Sequence, residues 1–219
     1  LTLGIAAKAK AMRAQGLDVI SLSAGEPDFD TPQPIKDAAI QALQKGATKY
    51  TPETGTPEIK QAVIRKFKRD QGLTFEPEQV VVGSGAKHVI FNLFYTMLNP
   101  GDEVVIPAPF WLSYPEMATL CGGKSVLIET TEATGFKITP EMLEKAITPK
   151  TKILILNSPS NPTGAVYSEN EFRALIPVLK KNPHVQILSD EIYEKLCFGG
   201  VKAVSIASLD SEIASRTIV

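Results

Sequence analysis

The chain has 219 residues, 43% of them hydrophobic and 21% charged, with a formal net charge of −1. That balance predicts a soluble globular protein, one large domain or one and a half. Scattered Lys and Arg argue against a nucleic-acid surface, and no apolar run approaches the ~18 residues of a membrane helix. Cys121 and Cys197 lie far apart with no CxxC or Cys/His spacing, so reduced thiols in a cytoplasmic protein are expected, and no metal site. The first residue is Leu1 and the last four, Arg216-Thr-Ile-Val219, read as a strand beginning, so a fragment at both ends is expected.

In chain order, Leu3–Gln15 is rich in Ala, Lys and Arg and predicts a helix that stops at Gly16. Val19-Ile-Ser-Leu22 predicts a short strand before a turn at Gly25-Glu-Pro-Asp-Phe29. Apolar positions 35, 39, 40 and 43 share one helical face between Pro34 and Lys45, with Gly46 as the stop. Tyr50–Gly55 is a loop and Pro57–Asp70 a second amphipathic helix. The rhythm then becomes strand, helix, strand. Gln79-Val-Val-Val82 leads through Gly83-Ser-Gly85 into an apolar helix with pairs at 89/90, 93/94 and 97/98. Further strands are Glu103–Ile106, Ser125–Ile128, Lys152–Leu156 and Val185–Leu188, with helices near 111–120, 139–147 and 168–182 between them. Short buried runs alternating with helices predict the α/β class: three layers, α/β/α, around a mostly parallel central sheet.

The strand ending at Leu188 runs into Ser189-Asp190-Glu-Ile-Tyr193. Ligands of open α/β sheets bind at the carboxyl ends of the strands. Asp190 and Tyr193 therefore stand at the mouth of a crevice, one able to face a cation and the other to donate a hydrogen bond. The competing reading is turn chemistry with a Tyr packed at the sheet edge. Gly83-Ser84-Gly85-Ala86-Lys87 offers an anion small residues and free N–H groups at a helix start. It is not a P-loop, which needs GxxxxGK[ST], and Asp102 and Glu103 precede their strand rather than end it, unlike the acid of a dinucleotide fold. A close-packed turn is the alternative. Trp111, the single tryptophan, reads by itself as a core residue. Asn161-Pro162-Thr163-Gly164 is a turn that can also aim the Asn161 amide. Tyr50 sits in a loop that need not bury it, and His88 and His184 read as structural.

Asn157-Ser-Pro-Ser-Asn161-Pro162-Thr163-Gly164 followed by Ser189-Asp190-Glu191-Ile192-Tyr193-Glu194, with Ser84-Gly85-Ala86-Lys87, Trp111 and Tyr50, resembles the class I and II aminotransferases. These are pyridoxal-phosphate enzymes of fold type I, and the chain is most similar to their bacterial and plastid aspartate or aspartate/prephenate branch. The resemblance runs from Leu1 to Val219. It implies that residues 1–30 belong to a small domain and 31–219 to an incomplete coenzyme-binding large domain. Ser84, Gly85 and Ala86 are assigned to the coenzyme phosphate. Tyr50 is assigned to the phosphate of a partner subunit, so that a homodimer shares its active sites. Trp111 then lies flat on the pyridine ring, Asn161 and Tyr193 hold its phenolic oxygen, and Asp190 stands beside the ring nitrogen. There an anion favours the protonated ring, which draws electrons from the substrate.

Asp190 and Tyr193 are thus the implied catalytic residues. Gly25, Trp111, Asn161 and Lys87 are the implied substrate contacts, Gly25 through its N–H at the α-carboxylate and Lys87 at the distal carboxylate of an acidic substrate. A solvated side chain is the alternative for Lys87. Cis peptide bonds are expected before Pro162 and Pro109. The implied activity is ping-pong transfer of an amino group between aspartate or glutamate and a 2-oxo acid, with no nucleic-acid or membrane partner. Two alternatives stay open: another fold-type I enzyme (a prephenate, aromatic or alanine aminotransferase, or a carbon–sulfur lyase), and a non-catalytic aminotransferase-like regulatory domain. No lysine here has the family's Schiff-base context. That lysine is expected a few residues beyond Val219, and the chain by itself is expected to be inactive.

Overall fold

Every strand pair is parallel, and the two-residue alternation along each strand sorts its side chains between two layers of helix. The computed structural model describes residues 2–22, 25 and 27–219, without the side chains of Thr2 and Leu3. The chain divides into two compact units, Leu1–Tyr50 and Thr51–Val219. The first unit contains α1 (Thr2–Ala14) and α2 (Gln33–Gln44). Gly16 ends α1 at φ +80°, a left-handed position that suits glycine.

The second unit opens with α3 (Pro57–Gln71), where Thr56 accepts from Ile59 N–H at the start and Gly72 stops the helix at φ +71°. There follow α4 (Ala86–Met97), β1 (Glu103–Ala108), α5 (Ser113–Leu120), β2 (Lys124–Glu129), α6 (Pro140–Ala146) and β3 (Thr151–Asn157). The last elements are α7 (Glu169–Lys181), β4 (Gln186–Asp190), α8 (Ser211–Ala214) and β5 (Thr217–Ile218). Strand order is β2-β1-β3-β4-β5.

Val104, Ile106, Ile153, Ile155 and Leu188 face α4 and α5, where they meet Ile90, Phe94, Tyr114 and Met117. Their neighbours Val105, Leu154, Leu156 and Ile187 face α6, α7 and α8, against Leu143, Phe172, Leu175 and Ile213. From β1 the chain turns one way to β2 through α5, then back across to β3, β4 and β5. Right-handed crossovers run in opposite directions along a sheet place their helices on opposite faces. That is the three-layer α/β/α arrangement expected for this chain. Arg216, only 8% exposed, ties the far side together by donating to Leu179 O at 2.7 Å and Val185 O at 2.6 Å, at the carbonyl end of α7.

Two expected strands are absent. Val19–Leu22 is irregular, and part of the turn after it (Ser23, Ala24 and Glu26) lies outside the described residues. Gln79 closes a short 3-10 turn, and Val82 N–H donates to Thr54 O instead of to a ladder. Branched residues suit a strand only where a neighbouring strand supplies a ladder of backbone groups, and among the described residues no strand pairs with Val80–Val82.

Tyr167 reports on the core beneath β3. It is 4% exposed, stacks on Phe172 at 4.8 Å and accepts Ile138 N–H at 2.8 Å, and burial pushes its phenol up to about 12. With its ionisation raised in the folded state, the stability it contributes is complete below pH ~10 and is lost as pH climbs through about 12. In urea titrations, Tyr167→Phe is expected to cost roughly 1–3 kcal/mol at neutral pH by orphaning Ile138 N–H. The gap from wild type should narrow between pH ~10 and ~12; a constant gap contradicts this account.

Candidate functional site

Strand order reverses between β1 and β3, and a sheet of this kind binds ligands in the crevice beyond the carboxyl ends of the strands at such a reversal. Three segments leave the sheet there: Pro109–Trp111 after β1, Ser158–Gly164 after β3 and Glu191–Tyr193 after β4.

Asp190 lies two residues after Leu188 and shares its face, so its carboxylate points towards α4 and α5. The side chain sits in a residue only 9% exposed. Tyr114 of α5 donates to Oδ2 at 2.6 Å, and Ile192 N–H reaches Oδ1 at 3.3 Å. Among the described residues no cationic side chain pairs with it. Tyr114 is 1% exposed, and burial first, then the Asp190 charge and Tyr193, hold its phenol well above the ordinary range. It therefore remains a protonated donor.

Asn157 is paired with Asp190 in the β3–β4 register. Its Nδ2 donates to Asp190 O at 2.9 Å and its Oδ1 accepts Asn161 N–H at 2.7 Å, so one side chain joins the end of β4 to the Asn161 turn. The bonds before Pro109 and Pro162 are cis, as expected, and so is the bond before Pro159, which the sequence reading did not anticipate. The Asn161 side-chain amide has no partner among the described residues. With Asn157 and Tyr114 it lines a small cavity of about 20 Å³.

Trp111 is half-buried and meets Tyr114 edge-on, ring centroids 5.3 Å apart at 86°. The Lys87 ammonium lies 5.0 Å from the indole centroid, so Lys87 is engaged with Trp111. At the glycine-rich loop, Ser84 N–H is committed to His88 Nδ1 at 3.0 Å and Gly85 N–H to Gly83 O at 2.9 Å. Gly85 precedes α4 at φ +87° with no side-chain cap, which leaves the Ala86 and Lys87 amides without acceptors among the described residues. Ala86 and Asp190 open onto the same cavity of about 680 Å³.

The fold thus brings Asp190, Trp111, Asn161 and the start of α4 to one end of the sheet, with Tyr193 half-buried in the turn beyond Asp190. Gly25 and Tyr50 belong to the first compact unit, where both are exposed. Sequence reasoning gave no part in the site to two residues that arrange it, Tyr114 and Asn157, and read as structural a third, His88, which holds the Ser84 N–H. Tyr114 carried one available signal, a polar aromatic three positions after Trp111, but its partner lies 76 residues away.

The family model "Aminotransferase class I and II" matches residues 17–219. An aspartate aminotransferase of Bacillus sp. (strain YM-2) is 55% identical over 218 residues, covering 100% of this chain and 55% of that protein. An aspartate/prephenate aminotransferase of Cereibacter sphaeroides is 50% identical, covering 99% of this chain and 54% of its own length. Among solved structures, the aspartate aminotransferase from Rhizobium meliloti superposes with a TM-score of 0.94 at 48% identity, over 98% of this chain and 54% of that one. The chain therefore spans about half the length of the relatives it matches.

The Tyr114–Asp190 contact predicts energetic coupling. Tyr114→Phe should lower the unfolding free energy by roughly 1.5–3 kcal/mol, the range for a hydrogen bond to a charged group. Most of that cost should vanish when Asp190 is already Ala. Additive costs in a double-mutant denaturation cycle would show that the contact carries no energy.

Proposed function

The chain belongs to the class I and II aminotransferases, and from that premise we propose that the full-length protein transfers an amino group between an acidic amino acid and a 2-oxo acid using pyridoxal phosphate. Aspartate with 2-oxoglutarate is the proposed pair. One observation carries the reading: Asp190 is a nearly buried carboxylate with hydrogen-bond donors but no cation among the described residues. A buried anion is costly unless paired, and a protonated ring nitrogen supplies the missing positive charge.

The rest of the donor set suits the same group. The Ala86 and Lys87 amides with the Ser84 hydroxyl can receive a phosphate at the start of α4. The unpartnered Asn161 amide and the Tyr193 phenol can hold a phenolic oxygen, and the half-buried Trp111 indole can cover a ring face. When bound, pyridoxal phosphate supplies a sink for the electrons released as the substrate Cα–H bond breaks. Asp190 holds the proton on the ring nitrogen, while Tyr114 and Ile192 N–H keep the carboxylate aimed and in place. Asn157 sets the height of Asn161 against Asp190 by bonding to both backbones.

We further assign residues 1–30 to a small domain and 31–219 to the coenzyme-binding large domain. Gly25 is placed at the substrate α-carboxylate and Tyr50 at the phosphate of a partner subunit in a homodimer. Tyr50, wholly exposed at 106%, has its side chain available for such a contact. Lys87 is the proposed contact for a distal carboxylate, drawn there from its position over Trp111. Free thiols at Cys121 and Cys197 support a cytoplasmic setting. A second acceptor, prephenate, is favoured by the relatives named aspartate/prephenate aminotransferase.

The test is turnover by the full-length protein loaded with pyridoxal phosphate, with L-aspartate as donor and 2-oxoglutarate or prephenate as acceptor. Oxaloacetate should form, and Asp190→Ala should reduce kcat at least about a hundredfold while the protein stays folded. Undiminished activity in Asp190→Ala would refute the assignment of that carboxylate.

A further inference from the structure

Beyond Asp190 the β4 backbone has no ladder: β3 pairs as far as Asn157↔Asp190 and β5 only to Leu188↔Ile218. The next residues fold into tight turns closed by Glu194 N–H to Glu191 O at 2.9 Å and Leu196 N–H to Tyr193 O at 2.8 Å. What anchors this segment is α3. Glu191 and Glu194, three residues apart, converge on a single nitrogen, Gln71 Nε2, at 2.5 Å and 3.0 Å. Lys66 Nζ, on the same helix, lies 2.7 Å from Glu194, and Lys195 Nζ meets Asp70 at 2.9 Å. The other Glu191 oxygen accepts from Ser189 Oγ at 2.8 Å, so both oxygens are engaged.

We propose that Gln71 is a positioning residue for the turn after β4: one amide nitrogen shared by Glu191 and Glu194 holds Tyr193 and the Ile192 N–H that meets Asp190. The proposal rests on the aminotransferase reading above, since it concerns the two residues to which that reading gives the chemistry. Ile192 and Tyr193 lie between the two anchored acids, and Ile192 N–H donates to Asp190 Oδ1 at 3.3 Å. A displacement of the turn therefore moves the phenol and one of the two donors on the carboxylate together.

The amide has one workable orientation. Turning it over would set Gln71 Oε1 against two carboxylates, and in the arrangement found Oε1 is buried without a partner among the described residues. An acceptor is left unsatisfied so that a donor can serve two acids. Burial raises the ionisation of Glu191 above the usual carboxylate range, opposed by Ser205, Ser189, Gln71 and the Lys66 charge, and Gln71 is the one of these neutral donors that also reaches Glu194.

The experiment uses the full-length protein with Gln71→Met, which keeps the length and removes the donor, and Gln71→Glu, which adds a third acid. Hydrogen exchange of the coenzyme-free protein should speed up at least about tenfold across 191–196, more in Gln71→Glu than in Gln71→Met, with β1 and β3 unchanged. In the loaded protein kcat should fall roughly tenfold to a hundredfold with KM nearly constant, the mark of misaligned reacting groups rather than lost binding. Should neither Gln71 variant fold, Lys66→Met loosens the same turn from the Glu194 side and is read identically. Unchanged exchange across 191–196 overturns the proposal, and faster exchange with wild-type kcat reduces Gln71 to a structural role and overturns it equally. Asp190→Ala is run alongside: if it turns over normally, the aminotransferase assignment fails, a result distinct from either Gln71 outcome.

Discussion

The β3–β4 ladder, with Asn157 set beside Asp190, is the constraint from which the site follows. In a parallel pair each residue's face is decided by register, and a slip of one residue would turn Asp190 away from α5 and into the apolar layer of Leu175 and Ile213. Correct register delivers the carboxylate to Tyr114 and, through the Asn157 side chain, ties the Asn161 turn to the same strand end. Two segments far apart in sequence thus share one rigid reference.

That reference holds an electrostatic imbalance. Exposed pairs on this protein, such as Arg173 with Glu169, bring charges together at the surface, where they contribute little. Asp190 is the opposite case, nearly buried and, among the described residues, supported by donors without full charge. Hydrogen bonds from neutral donors lower the cost of that burial without bringing a positive charge to the carboxylate. Under the proposed function, such a site would favour a charged ring over a neutral one, which is what a coenzyme working as an electron sink requires.

Much of the site was legible as types of residue. Asp190 at a strand end, the Asn161-Pro162 turn and the Gly83–Lys87 loop could each be located, because turn and strand chemistry is local and leaves local signatures. Their support was not. Tyr114 looks like an ordinary amphipathic aromatic on α5, and Gln71 like a polar residue just past the expected Pro57–Asp70 helix, since hydrogen bonds across 76 and 120 residues of chain leave no periodicity to read. The same limit explains the Gln79–Val82 segment, whose branched side chains suit a strand but whose backbone groups find no ladder here.

By itself, then, the sequence determined the α/β alternation, the longer helices with the glycine stops after α1 and α2, and the family resemblance. These depend on side-chain periodicity and on neighbours a few positions away. Tertiary structure alone decided which face Asp190 occupies, that Tyr114 and Asn157 serve it, and that α3 holds the turn beyond it. Those facts depend on strand register and on where helices cross the sheet, and both are settled only when distant segments pack.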